Sequence, residues 1–160
     1  MSCAPLILNQ MAKYSDLIGS KRALPGARSE TMCRPVHQEV DFSVKPMEVY
    51  EAYLDSREHA RMTGQPAKMS KKEGGHFVAG GDYITGTNVE LVPGKRIVQA
   101  WRASEWPEGE YSILHLELKP KGKGCRLVVD HVGVPEKFRD GVDEGWHDFY
   151  WKPMKEYFKR

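Results

Sequence analysis

From residue 36 to residue 44 the chain alternates: Gln38, Val40, Phe42 and Val44 fall on one face, His37, Glu39, Asp41 and Ser43 on the other. Period two marks a half-buried strand, because successive side chains point to opposite sides of the pleat. Lys45-Pro46 breaks the alternation and opens a helix. Proline at the first helical position forfeits no intrahelical hydrogen bond, and Val49, Tyr50, Tyr53 and Leu54 follow at helical spacing. Ser56 is placed to cap a second short helix ending near Gly64.

Beyond Lys71-Lys72-Glu73-Gly74-Gly75 the strand pattern recurs over His76 to Ala79, Tyr83 to Leu91, Arg96 to Ala103, Tyr111 to Lys119 and Cys125 to Val134. The connectors Gly80-Gly81-Asp82, Val92-Pro93-Gly94-Lys95, Trp106-Pro107-Glu108-Gly109 and Lys121-Gly122-Lys123-Gly124 are built from turn-forming residues. Short links between successive strands predict an antiparallel meander. The last segment repeats apolar residues at Val142, Trp146, Phe149, Tyr150, Pro153, Met154 and Tyr157, one stripe along a long amphipathic helix. Lys152, Lys155, Lys159 and Arg160 lie toward its C-terminal end, where cations complement the helix dipole. Pro153 is expected to bend the axis, because it removes one backbone bond. A strand, two short helices, a run of antiparallel strands and this helix predict an α+β domain. Its helix lies across the concave face of a curved sheet.

Residues 1–35 show no persistent period and read as an N-terminal extension to a domain spanning residues 36–160; Met32 stands as an alternative start. At 160 residues the chain has room for one domain with a sizeable core. A formal charge of +2, from 24 basic and 22 acidic residues, produces no single-sign field that would imply nucleic acid or an anionic membrane as partner. Cys3, Cys33 and Cys125, an odd count without metal-ligand spacing, argue against a disulfide framework and for a reducing compartment, the cytoplasm. No apolar run approaches the ~20 residues that a membrane span needs.

The landmarks are Pro46 with Val49-Tyr50, Gly74-Gly75-His76-Phe77, Gly86, Leu91-Val92-Pro93, and residues 96–102 reading Arg-Ile-Val-Gln-Ala-Trp-Arg. They continue through Trp106-Pro107-Glu108-Gly109, Gly133-Val134-Pro135, Gly145-Trp146, Met154-Lys155 and Tyr157-Phe158. In order and spacing these resemble the activator of heat-shock-protein-90 ATPase homologue-like (AHSA-type) family, within the Bet v 1-like, START-related (SRPBCC) superfamily. The resemblance spans roughly residues 36–158. It implies a helix-grip fold, with a cavity between the sheet and the C-terminal helix.

Alternation turns Leu114, Leu116 and Leu118 inward, with Ile97, Gln99 and Trp101, and Leu127, Val129 and His131 on the next strand. His131 among apolar neighbours is either the polar anchor of a ligand or a buried histidine bonded to a backbone carbonyl near the sheet edge. Trp101 and Trp146 read as core. Trp106, in a turn, and Trp151, off the apolar stripe, read as a protein-binding surface. Asp130 adjoins His131 but points to the opposite face, and His147 and Asp148 lie off the buried stripe, so neither forms an inward acid–base pair. The histidines show no metal-binding spacing, the glycines no phosphate-binding loop, and no serine sits in a nucleophile elbow.

The leading expectation is a non-catalytic protein that binds a small hydrophobic or amphipathic molecule, lined by Phe77, Ile97, Trp101, Leu116, His131, Trp146 and Tyr150, with no cofactor and no metal. The resemblance supplies the cavity. The alternatives are a co-chaperone-like module whose partner is a chaperone, and a cyclase-like enzyme of the wider superfamily.

Overall fold

The computed structural model describes residues 34–159. The reading of the leader up to residue 33, the alternative start at Met32 and the terminal cation Arg160 lie outside the described residues. Strand β1 (Val36–Phe42) is followed by helices α1 (Pro46–Leu54) and α2 (Ser56–Thr63). Strands β2 (His76–Ala79), β3 (Ile84–Val92), β4 (Arg96–Ala103), β5 (Ser112–Lys121) and β6 (Gly124–Val132) come next. A continuous helical run closes the chain: a 3₁₀ turn (Glu136–Phe138), α3 (Arg139–Gly145), a π-helical segment (Trp146–Trp151) and α4 (Lys152–Tyr157).

The six strands form one antiparallel sheet in the order β1-β6-β5-β4-β3-β2. Hairpins join β2 through β6, as the short connectors predict, and β1 returns to pair with β6 from Val36 opposite His131 to Phe42 opposite Cys125. The predicted strands lie within two residues of their observed ends. The alternation also holds: Gln38, Val40 and Phe42, the three inward leucines of β5, and Leu127, Val129 and His131 are all buried. In β3 a bulge between Asn88 and Glu90 shifts the register: buried Asn88 pairs with Gln99, Val89 stands outside, and beyond the bulge Leu91 pairs with buried Ile97 and packs against the core.

One local feature departs from the sequence reading. Asp55, one residue before Ser56, caps α2: its carboxylate accepts from the Arg57 and Glu58 backbone N–H groups at 3.0 and 3.1 Å. The Ser56 hydroxyl instead accepts from the Met69 N–H at 2.8 Å and ties the following loop to the helix. Gly86 is required by close packing. The Phe77 ring lies across it, and a Cβ there would fall 2.2 Å from the Ala100 carbonyl oxygen and 2.5 Å from Phe77 Cζ.

The start of β1 is fastened to the last helical run: Arg34 pairs with Glu136 at 2.9 Å, and Arg139 donates to the Pro35 carbonyl at 3.2 Å. The core sits between the inner face of the sheet and the helices.

An aromatic core threaded by a polar chain

The helical run does not carry one apolar stripe in α-helical phase. Its π-helical segment inserts an extra residue per turn, placing residues five apart above one another. Trp146 and Trp151 therefore stack with ring centroids 5.0 Å apart, Trp151 is 3% exposed, and Phe149, expected inside, is 63% exposed. The surface reading of Trp151 is thus corrected. Its indole N–H donates to the Gln38 side-chain oxygen, and Gln38 in turn donates to the Asp143 carbonyl at 2.8 Å and to its carboxylate at 2.5 Å.

Trp106 is also corrected, since it too is only 3% exposed. The turn after β4 folds back so that its ring packs between Trp101, 5.2 Å away, and Phe138, 6.4 Å away. Arg102 pins that turn by donating to the Trp106 carbonyl at 2.7 Å. The Trp106 indole N–H itself is buried without a hydrogen-bond partner.

All seven residues expected to line a cavity are buried. Trp101, His131, Trp146 and Tyr150 form a continuous series of rings, with centroid separations of 4.9, 6.0 and 4.6 Å along it. Ile97 and Leu116 face each other across β4 and β5 in the same core, while Phe77 lies toward the β2 edge over Gly86. Two surface grooves are present elsewhere, and none of the seven residues lines either.

His131 is held by its neighbours on both ring nitrogens. The Trp146 indole N–H donates to Nδ1 at 3.2 Å, which leaves the proton on Nε2, 2.6 Å from the Ser112 hydroxyl. Ser112 passes the chain on by donating to the Trp101 carbonyl at 3.1 Å. Every polar group in this line has a partner, the condition under which a polar group is tolerated in a core. The partners are side chains from β5 and the helical run, not the backbone carbonyl near the sheet edge that one reading expected. Burial pushes the His131 pKa down to about 3, so the ring is neutral at physiological pH. Asp130, on the outer face as the pleat requires, lies 2.6 Å from His37 instead.

A second buried chain starts at His59, which the sequence did not single out. Its Nδ1 donates to the Tyr53 carbonyl at 2.7 Å and its Nε2 accepts from the Tyr150 hydroxyl at 3.3 Å. The Tyr53 hydroxyl donates to Gln99 at 3.2 Å, Gln99 to Asn88 at 2.8 Å, and Asn88 to the Ser70 and Lys72 carbonyls. Burial lowers the His59 pKa and raises those of Tyr53 and Tyr150. The signal for Gln99 and Ser112 was present as polar residues at inward-facing strand positions. For His59 there was none, since α2 has a mostly polar sequence.

Among the described residues no group of three or more His, Cys, Asp or Glu side chains is arranged to hold a metal ion, and no helix is long and apolar enough to cross a membrane.

Comparison with known proteins agrees with this geometry. Residues 43–159 match the family described as activator of Hsp90 ATPase homolog 1-like protein. The human activator of 90 kDa heat shock protein ATPase homolog 1 is 28% identical over 147 residues, covering 86% of this chain and 43% of the human protein. The Dictyostelium discoideum activator homolog is 30% identical over 107 residues, covering 66% of this chain and 28% of that protein. The chain thus spans less than half the length of these curated relatives. Among solved structures, an HSP90 activator from Plasmodium falciparum superposes with a TM-score of 0.70 at 23% identity, over 80% of this chain and 96% of that one. Protein MLL2253 from Mesorhizobium loti gives the same TM-score at 17% identity, over 79% and 98%. Both carry the same helix-grip fold. With its family match running from the end of β1 through the C-terminal helix, the chain belongs to the activator of Hsp90 ATPase homolog 1-like family.

Proposed function

We propose that this chain is a non-catalytic protein-interaction module of the chaperone-activator kind, which binds a 90 kDa heat-shock protein through its surface. The supporting observation is the occupied interior: both nitrogens of His131 are engaged by Trp146 and Ser112, and among the described residues no Asp or Glu is buried beside it for acid–base chemistry. The relatives named as activators add to this reading. An activator of this kind accelerates another protein's ATPase only by binding its active conformation more tightly than its resting one, since equal affinity shifts no equilibrium. The test is the ATPase rate and direct binding of the host's purified 90 kDa heat-shock protein with and without the full chain. A rise that saturates with binding supports the reading. Absence of binding at concentrations where a known activator of this family acts would overturn it.

A second reading keeps the seven core residues as the walls of a site for a small hydrophobic molecule, entered by displacement of the Trp106 turn. One observation favours it: the Trp106 indole N–H is a buried donor without a partner, and a ligand acceptor would satisfy it. Native mass spectrometry of protein gently purified from its host decides between the two. A discrete small adduct supports the ligand reading, and a bare chain supports the interaction reading.

A further inference from the structure

Three turns meet at one end of the sheet: the link from β1 to α1, the β3–β4 turn and the β5–β6 turn. Together they enclose an open groove. Its apolar part is Met47, 43% exposed, with Pro46, Pro93 and Pro120 as walls that carry no backbone N–H. The floor depends on glycine. Gly94 has a φ of +65°, and a Cβ there would lie 3.1 Å from Met47 Cε, so the turn and the thioether are fitted to one another.

Lys45, Lys95 and Lys123, one from each turn, stand exposed around this groove. None takes part in an ion pair among the described residues. Lysines just outside it do: Lys119 is 2.9 Å from Glu117, and Lys121 is 2.5 Å from Asp41. Along the sequence the three are far apart and the chain is nearly neutral, so only folding produces this concentration of positive charge. The N-terminal end of α1 opens at the same place, where the Glu48 carboxylate accepts from the Lys45 backbone N–H at 3.1 Å and offsets the positive end of the helix, so the charge of the groove is that of its lysines.

We propose that this groove docks an acidic polypeptide segment bearing an apolar side chain among its carboxylates, an inference that rests on the protein-interaction reading above. Convergent lysines that make no ion pair among the described residues steer and align an acidic partner. The flexible, polarizable Met47 gives its apolar side chain an adaptable seat. Among the described residues that line the groove there is no arginine for bidentate contact with phosphate and no aromatic ring on which a base could stack. A single exposed methionine is also far less apolar surface than a membrane-inserting element presents.

The full chain, isotope-labelled, is titrated with two probes: the host's purified 90 kDa heat-shock protein and a short synthetic peptide of Glu residues flanking Leu. The peptide is expected to shift the amide resonances of Lys45, Met47, Gly94, Lys95, Gly122, Lys123 and Gly124, with affinity falling as salt rises. The combined variant Lys45→Gln, Lys95→Gln and Lys123→Gln should weaken both complexes by roughly tenfold or more, and the corresponding Lys→Glu variant further. All three positions are exposed turn residues, so an unchanged thermal midpoint verifies that each variant is folded. Peptide shifts mapping elsewhere, or lysine variants that bind both probes like the parent, would overturn the proposal. So would phosphatidylserine vesicles or oligo-dT binding the groove more tightly than the peptide. If the chaperone does not bind but the peptide still shifts the groove, the chaperone reading falls and the docking site stands. If the chaperone binds parent and variants equally and the peptide is silent, the site falls and the chaperone reading stands.

Discussion

Trp146 and Trp151 lie face to face, their ring planes 12° from parallel, although they are five residues apart on one helix. In a regular α-helix such residues point about 140° apart, at 3.6 residues per turn. The π-helical segment closes that gap and turns both rings toward the sheet, with Pro153 just beyond it at the start of α4. Proline cannot donate to the turn behind it, so the widened turn falls where an α-helical bond would be lost in any case.

Both tryptophans are therefore structural. Trp146→Ala and Trp151→Ala should each destabilise the fold by about 3 to 5 kcal/mol, the usual cost of emptying a large aromatic site in a core. Urea denaturation midpoints check this. A near-silent Trp151→Ala would return that residue to the surface.

His131 and His59 make stability depend on pH. Both have folded pKa values below the unfolded value of about 6.5, so between those values the unfolded chain binds more protons. Their contribution is complete above about pH 6.5 and is lost as pH falls, at up to about 1.4 kcal/mol per pH unit for each ring. The carboxylates of Asp41 and Asp55, held low by Arg126 and by Lys71, add their own loss only at more acidic pH. Unfolding free energies between pH 5 and pH 7 should show the slope, and His131→Leu should flatten it while lowering stability at pH 7. An unchanged slope in that variant would mean that His131 is not buried in its neutral form.

Gly86 is predicted to tolerate no side chain. Gly86→Ala places a methyl group against the Ala100 carbonyl and the Phe77 ring and should cost about 1 to 3 kcal/mol. Thermal melts of the variant measure it, and a parent-like midpoint would show that β2 moves aside freely.

Cys125 should resist thiol reagents. It is 1% exposed, and burial first, then the nearby Asp41 charge, pushes its pKa up to about 11. Alkylation of the native protein followed by peptide mapping should leave the Cys125 peptide unmodified until denaturant is added.

Most of the fold was legible because strands and turns announce themselves locally. The alternation from Gln38 to Val44, the inward leucines of β5 and the Gly-Pro connectors each state a period or a turn within a few residues. The two tryptophan surface readings failed for reasons that lie beyond local pattern. Trp151 was judged by an α-helical wheel, and the π-helical insertion that changes its phase leaves no mark in apolar spacing. Trp106 was judged by its turn, and only Trp101 and Phe138, from other parts of the chain, draw it inside. Likewise the His131 chain needs β5 and β6 in register and the last helical run in place, none of which a single segment specifies.

Pairing of the first strand with the last has a consequence for biosynthesis. Val36 must wait for His131 to leave the ribosome before β1 can join the sheet, and Trp146 and Trp151 arrive later still. Until then the nascent meander has an open β6 or β5 edge and an uncovered apolar face, and closure over so long a stretch of chain is slow. Nascent chains arrested shortly after residue 132 should therefore be digested by protease, and chains that have brought the helical run through residue 159 out of the ribosome should not. The most vulnerable moment in the making of this domain falls between the synthesis of β6 and the arrival of the last helical run.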